Sequence, residues 1–124
     1  MAKMRVLIID DELDFATVLR DRLTFEGFEV DIASDGRTGL ERLQTSPPDL
    51  IILDIMMPTM DGFTFLRRVR AEKGAAMPAI LIVTAYGREP TDEERGLMGD
   101  IPIVRKPFDV ESLLRKVRRL TSQA

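Results

Sequence analysis

Acidic residues directly follow two of the most apolar segments of the sequence. The stretch "VLIIDDE" (residues 6–12) ends on Asp10, Asp11 and Glu12, and "LIILD" ends on Asp54. A segment that is apolar at every position predicts a strand buried on both faces. If these two strands are neighbours, their carboxylates share one crevice and repel each other. Mg²⁺ suits such a set of carboxylates together with waters and a phosphate oxygen, so the sequence predicts a magnesium site.

Two further polar residues end other strand-like segments. Thr84 closes "AILIVT" and Lys106 closes "IPIVRK". A hydroxyl can bond an anionic oxygen, and the compact charge of a lysine suits phosphate. With a metal ion and a carboxylate nucleophile, these groups predict phosphoryl transfer to an aspartate. Such transfer depends mostly on positioning and charge neutralisation, so it needs no histidine base.

The composition narrows the chemistry in the same direction. The chain of 124 residues contains no histidine and no cysteine, which excludes imidazole and thiolate sites. Its net charge of -3 gives no overall attraction to nucleic acid, and the arginine-rich runs at 67–70 and 115–119 are interpreted as solvated helix faces. No segment has the length of a membrane span or the form of a secretory leader, which predicts a cytoplasmic location.

Strand-like and helix-like segments alternate along the whole chain. Strands are predicted at Arg5–Ile9, 28–33, Leu50–Asp54, 79–85 and 101–106. Helices are predicted at 14–25, 35–46, 63–73 and 109–120, with a short or mobile fourth helix within 87–99. This alternation predicts an α/β domain with a parallel sheet between helices. Ligands of such sheets bind beyond the carboxyl ends of the strands, where the strand order reverses.

Four motifs at these strand ends resemble those of one family. "IIDDE", "LDIMMPTMDG", "IVTAY" and "RKPFD" occur in this order and span nearly the whole chain. They resemble the motifs of response-regulator receiver domains, the phosphoacceptor modules of bacterial two-component signalling. The resemblance implies a single receiver domain over residues 1–124. It also implies a flavodoxin-like, doubly wound (βα)5 fold with a five-stranded parallel sheet in the order 2-1-3-4-5.

The resemblance also implies a role for each acidic residue. Asp54 is expected to accept the phosphoryl group. Asp11 is expected to bind Mg²⁺ directly, and Asp10 to help either directly or through water. Met56 is expected to offer its backbone carbonyl to the metal. Glu12, by contrast, is expected to start the first helix and to lie in solvent.

The remaining motif residues receive roles by the same resemblance. Thr84 is expected to reach toward the phosphoryl group, and Lys106 to pair with it. The Lys106–Pro107 bond is a candidate cis peptide. Asp61 is interpreted as a helix cap rather than as a metal ligand.

The implied function is signalling rather than turnover of a substrate. A histidine kinase or phosphotransfer protein would phosphorylate Asp54 in the presence of Mg²⁺, and phosphorylation would switch the binding of a downstream partner. The chain is not expected to be an enzyme beyond its own phosphorylation and dephosphorylation. The output would be a protein partner or an effector domain not included in the sequence, without direct contact to nucleic acid or membrane. A homodimer through the fourth helix, fifth strand and fifth helix is a further expectation.

Two departures from the family pattern keep other functions open. Ile103 stands where the family usually has an aromatic ring, and glycine and proline crowd the fourth helix around a capping box at Thr91 and Glu94. A degenerate receiver that binds partners without phosphorylation is therefore the main alternative. A magnesium-dependent aspartyl phosphatase would want a second acid where Met56 stands. A flavin carrier is disfavoured because the acids of "DDELD" would repel its phosphate.

Overall fold

The computed structural model describes residues 3–55, 57, 62–85 and 89–121. Five parallel strands form one sheet in the order β2-β1-β3-β4-β5, which confirms the predicted topology. The strands are β1 Arg5–Ile9, β2 Glu29–Ala33, β3 Leu50–Asp54, β4 Ala79–Thr84 and β5 Ile103–Arg105. The helices are α1 Leu13–Phe25, α2 Gly36–Thr45, α3 Gly62–Lys73, α4 Asp92–Met98 and α5 Val110–Thr121, and a 3-10 turn follows α3 at Gly74–Ala76.

The sheet divides the hydrophobic core into two layers. Successive side chains of a strand point to opposite faces, so Leu7 and Ile9 enter one layer while Val6 and Ile8 enter the other. The first layer is completed by buried residues of α2, α3 and α4, and the second by those of α1 and α5. This double burial explains why β1 and β3 are apolar at nearly every position. The alternation of apolar and polar residues in 28–33 predicts an edge strand with one solvent-facing side, and the edge position and alternating exposure of β2 confirm it.

A glycine marks the end of α1, and a proline precedes the start of β5. Gly27, just beyond α1, has a φ of 101°, the left-handed conformation expected at a helix stop. β5 is shorter than predicted and begins only at Ile103, after Pro102, which has no N–H to contribute to the ladder.

Among the described residues, no helix is long and apolar enough to cross a bilayer.

The fourth helix is short, as the sequence predicts. Asp92–Met98 has seven residues and begins with the complete capping box between Thr91 and Glu94. Met98 is buried and Leu97 is partly buried against the same core layer. The predicted mobility of this region stays a prediction, and Gly87 lies outside the described residues.

Arginines predicted to be solvated make contacts between helices. Arg67 on α3 pairs with Glu93 on α4 at 2.9 Å, and Arg118 on α5 pairs with Glu26 at the end of α1. These pairs lie at the surface, where such contacts contribute little to stability. The interpretation of both runs as solvated helix faces is therefore correct for most of their basic residues, whereas Arg70 and Lys116 are half-buried.

Candidate functional site

The acids that follow β1 and β3 meet at the carboxyl edge of the sheet. Ile9 is in register with Leu53, so Asp10 and Asp54 lie side by side at the ends of adjacent strands. Both residues are buried, with exposed fractions of 2% and 5%. Carboxylate oxygens of Asp10, Glu12 and Asp54 lie within 4.8 Å of one another. The predicted crevice between these two strands is present.

Lys106 brings a positive charge to these carboxylates from the end of β5. Its Nζ donates to Oδ2 of Asp10 at 3.0 Å and to Oε1 of Glu12 at 2.7 Å. Oδ2 of Asp54 lies farther away, at 3.8 Å. The main-chain N–H of Lys106 donates to the carbonyl of Thr84 at 2.8 Å, which fixes the lysine to β4. The Lys106–Pro107 peptide is cis, as the sequence predicts.

The surroundings of Lys106 favour its charged form. Burial is the largest single influence and by itself lowers the pKa of the lysine. Hydrogen bonds to Glu12 and Asp10, together with the charges of Asp10 and Asp54, raise the pKa and outweigh burial. The net result is a pKa above the ordinary value of 10.5, so the ammonium is charged throughout the neutral range.

Glu12 contacts the site, which the sequence did not predict. It occupies the N-cap position of α1 and its side chain is 60% exposed, so its predicted place at a helix start and in solvent is correct. Its carboxylate nevertheless accepts from Lys106, and its N–H donates to Oδ1 of Asp10 at 2.9 Å. Asp11 is exposed and, among the described carboxylates, is not part of the group around Asp54. Its direct role at Mg²⁺ stays a prediction.

An aromatic ring also contacts the lysine. The Nζ of Lys106 lies 4.3 Å from the ring centroid of Phe15, a cation–π geometry. The ring of Phe15 packs edge-on against Phe108, with centroids 5.5 Å apart and an interplanar angle of 81°. Phe15 lies within the helix predicted at 14–25, and the sequence predicts no role for it at the site. The available signal is its spacing of three residues from Glu12, which places both on one side of the first helical turn.

The structure describes some of the remaining residues of the motifs and not others. Thr84 ends β4, and its hydroxyl donates to the carbonyl of Ala85 at 3.1 Å. Met56 and Asp61 lie outside the described residues. Gly62 begins α3, and a Cβ there would stand 2.3 Å from the Cα of Ile55. Helix α3 therefore starts in direct backbone contact with the segment that follows Asp54.

The donor set fits a hard divalent cation. Asp10 and Asp54 offer carboxylate oxygens from a buried position, and Glu12 offers one from the rim. Such oxygens are the ligands of Mg²⁺ or Ca²⁺, whereas copper or zinc would prefer the imidazole or thiolate ligands that this chain lacks. The group can therefore hold a metal ion, with Lys106 as a competing cation at the same acids.

Comparison with known proteins shows which family the chain is similar to. The family described as "Response regulator receiver domain" matches residues 6–118. The transcriptional regulatory protein DltR of Streptococcus agalactiae is 38% identical over 122 residues, which are 98% of this chain and 53% of DltR. The transcriptional activator protein IrlR of Burkholderia pseudomallei is 42% identical over 118 residues, which are 94% of this chain and 50% of IrlR. The chain spans about half the length of these relatives.

Solved structures show the same fold. The chemotaxis protein CheY4 of Vibrio cholerae superimposes with a TM-score of 0.83 at 32% identity, covering 96% of this chain and 99% of CheY4. The response regulator protein TrrA of Thermotoga maritima, in complex with Mg²⁺-BeF, superimposes with a TM-score of 0.81 at 32% identity, covering 94% of this chain and 98% of TrrA. The chain belongs to the response regulator receiver domain family of two-component signalling.

Proposed function

We propose that this receiver domain takes a phosphoryl group onto Asp54 from a phosphohistidine of a sensor kinase or phosphotransfer protein. The observation that carries the proposal is the position of the Asp54 carboxylate. It is buried at the end of β3, with the Lys106 ammonium 3.8 Å away and carboxylates of Asp10 and Glu12 within 4.8 Å. A nucleophile beside a fixed cation and a group of possible metal ligands suits phosphoryl transfer.

Each residue of the site has a separate task in the transfer. An oxygen of the ionised Asp54 carboxylate bonds to phosphorus, the bond from phosphorus to the donor nitrogen breaks, and that nitrogen takes up a proton. Lys106 moves from its ion-pair distance into contact with the new phosphoryl oxygens. The Thr84 hydroxyl turns from the carbonyl of Ala85 toward the same oxygens. The ionised carboxylate needs no base, which agrees with a chain without histidine.

The metal would be held by residues at the ends of β1 and β3. Asp10, Asp11 and Asp54, with the main-chain carbonyl of Met56, are the proposed ligands. When bound, Mg²⁺ supplies charge neutralisation for the phosphoryl oxygens. The TrrA structure that resembles this chain contains Mg²⁺-BeF, which supports the choice of metal.

The proposed function is tested by phosphorylation with acetyl phosphate and Mg²⁺, followed by intact-protein mass spectrometry. We expect the mass of one phosphoryl group in the wild type and none in Asp54→Asn. Asp31→Asn is the matched control because Asp31 is exposed on the edge strand β2, away from the site. A wild-type chain that gains no mass with any divalent cation would contradict the proposal.

We also propose that the output is a change in protein contacts and that the chain acts on no other substrate. The relatives DltR and IrlR are named as a transcriptional regulatory protein and a transcriptional activator protein and are about twice as long as this chain, so an attached effector segment is one source of such contacts. Ile103 on β5 is 42% exposed and offers apolar surface at the face formed by α4, β5 and α5. Analytical ultracentrifugation with and without acetyl phosphate tests whether two copies join through this face. An Ile103→Glu variant should lose any such association.

A further inference from the structure

Lys106 is held by three residues of the segment that joins β1 to α1. Its ammonium donates to Asp10 at 3.0 Å and to Glu12 at 2.7 Å, and it lies 4.3 Å from the ring centroid of Phe15. We call Asp10, Glu12 and Phe15 the lysine seat. The transfer described above gives no step to Phe15, and it uses Glu12 only as one of the carboxylates near Asp54.

The lysine seat is supported on both sides by packing. Phe15 lies in the first turn of α1 and is partly buried against the core layer of α1 and α5. Phe108, which follows the Lys106–Pro107 peptide, packs edge-on against it and is partly buried in the same layer. The N–H of Glu12 donates to Asp10, which joins the two acids of the seat. The ammonium is therefore directed toward α1 rather than toward Asp54.

We propose that Glu12 and Phe15 are positioning residues that hold Lys106 away from Asp54 before phosphorylation and release it afterwards. The inference rests on the proposed function and concerns the regulation of the same site. The ammonium lies 3.8 Å from Oδ2 of Asp54, beyond hydrogen-bond distance, so in this proposal close pairing with a phosphoryl group on Asp54 draws it away from Glu12 and Phe15. The seat thus stabilises only the unphosphorylated state.

This asymmetry predicts unequal effects on the two reactions of Asp54. Phosphorylation begins with the lysine in the seat and passes through a transition state in which it neutralises the phosphoryl group. Hydrolysis begins with the lysine already at the phosphoryl group, and water then displaces the carboxylate to give inorganic phosphate. An interaction present only in the starting state of one reaction slows that reaction alone.

The seat itself is tested without phosphorylation. The chain has four lysines, so the ε-methylene signals of a ¹³C-lysine-labelled sample can be assigned with Lys106→Arg. We expect an upfield ring-current shift for Lys106 that disappears in Phe15→Leu and persists in Phe15→Tyr. Adding acetyl phosphate and Mg²⁺ should also remove the shift. An unshifted Lys106 signal in the wild type would overturn the proposal.

The regulatory role is tested by measuring both rates. Phe15→Leu should be phosphorylated by acetyl phosphate about two- to fivefold faster than the wild type, the size of one cation–π contact at a partly exposed site. Its dephosphorylation rate should stay unchanged, and Phe15→Tyr should restore the slower phosphorylation. Glu12→Gln should act in the same direction. Glu29→Gln removes a comparably exposed glutamate that pairs with Arg5, and it should leave both rates at wild-type values.

Two results separate this inference from the proposed function. If both rates of Phe15→Leu change by the same factor, or if its phosphorylation slows, the positioning role is wrong although Asp54 is phosphorylated. If the wild type takes up no phosphoryl group, the proposed function is wrong, and a positioning role in it falls too. The ring-current shift would then still establish the contact between Lys106 and Phe15.

Discussion

The Nε of Arg70 on α3 donates to the main-chain carbonyl of Leu97 on α4 at 2.7 Å. The last carbonyls of a helix have no partner within the helix, so this contact satisfies one of them from a neighbouring helix. α4 is thus held at its C-terminal turn by α3. Beside it, α4 is anchored by the buried Met98, the partly buried Leu97 and the pair between Glu93 and Arg67.

Loss of this contact should loosen α4 more than the rest of the domain. We expect Arg70→Gln to lower the local free energy of unfolding of Asp92–Met98 by about 1 kcal/mol, since a hydrogen bond to a charged donor is lost at a partly exposed site. Hydrogen exchange followed by mass spectrometry measures the change. Arg68→Gln is the control, because Arg68 is an exposed residue of the same helix. Exchange in α4 of the wild type as slow as in β3 would contradict its predicted weak anchoring.

Two glycines should respond in opposite ways to the same substitution. Gly62→Ala places a methyl group 2.3 Å from the Cα of Ile55, so the backbone must shift, and we expect a loss of about 1–3 kcal/mol in the free energy of unfolding. Gly96 lies inside α4 with nothing within 4 Å of its Cβ position. Gly96→Ala should therefore stabilise the protein by up to about 1 kcal/mol. Urea denaturation monitored by circular dichroism distinguishes the two, and equal midpoints would refute the close approach at Gly62.

Asp35 caps α2, and its contribution should depend on pH. Its carboxylate accepts from the N–H of Thr38 at 2.8 Å, and this backbone hydrogen bond lowers the pKa of Asp35 below its ordinary value of 3.8. A lowered pKa in the folded state means that the stabilisation is present above pH 3.8 and is lost as the pH falls through the folded-state pKa. At neutral pH, Asp35→Ala should cost about 1 kcal/mol, and Asp35→Asn less.

Thermal unfolding over a pH series checks this dependence. The difference between wild type and Asp35→Asn should shrink as the pH falls below 3.8. Asp21→Asn, on the exposed face of α1, provides the comparison for the general effect of removing one carboxylate. A difference that grows in acid would show that the hydrogen bond does not favour the ionised form.

Magnesium should stabilise the fold through the acids that follow β1 and β3. A cation that binds only the folded state raises its stability in proportion to the logarithm of the free concentration. We expect the Tm to rise with millimolar Mg²⁺ in the wild type and to rise less in Asp10→Asn. Differential scanning calorimetry with Mg²⁺ against the same concentration of Na⁺ as sulfate salts measures both. An unchanged wild-type Tm would argue against the metal site.

The fold could be predicted almost completely because its signals are local. Uninterrupted apolar segments indicated the buried strands, and the alternation in residues 28–33 indicated the edge strand. Gly27 marked the end of α1. The predicted strand 101–106 is longer than the observed β5, Ile103–Arg105, because the apolar pattern begins at Ile101 although Pro102 has no N–H to donate to the ladder.

The site could be predicted only as far as the strands determine it. Asp10, Asp54 and Lys106 follow strands whose carboxyl ends must meet, so their proximity follows from topology. Glu12 and Phe15, at the start of α1, contact Lys106, which lies more than 90 residues later in the sequence. Sequence periodicity indicates which residues of one helix or strand share a face, and it does not indicate which side chains of distant segments meet. The contact between Arg70 and Leu97 was missed for the same reason.

Because the sheet divides the core into two layers, the side chains of one layer pack against each other without contacting those of the other layer. Leu7 and Ile8 are adjacent in the chain, yet their side chains belong to different layers. The effects of substitutions on opposite faces on the free energy of unfolding should therefore be additive. The residues of one layer can then change in sequence while those of the other layer stay the same. The carboxyl edge belongs to both layers, because strands that define both faces end there. Sequence variation should consequently be most constrained along a line of strand ends rather than within either core.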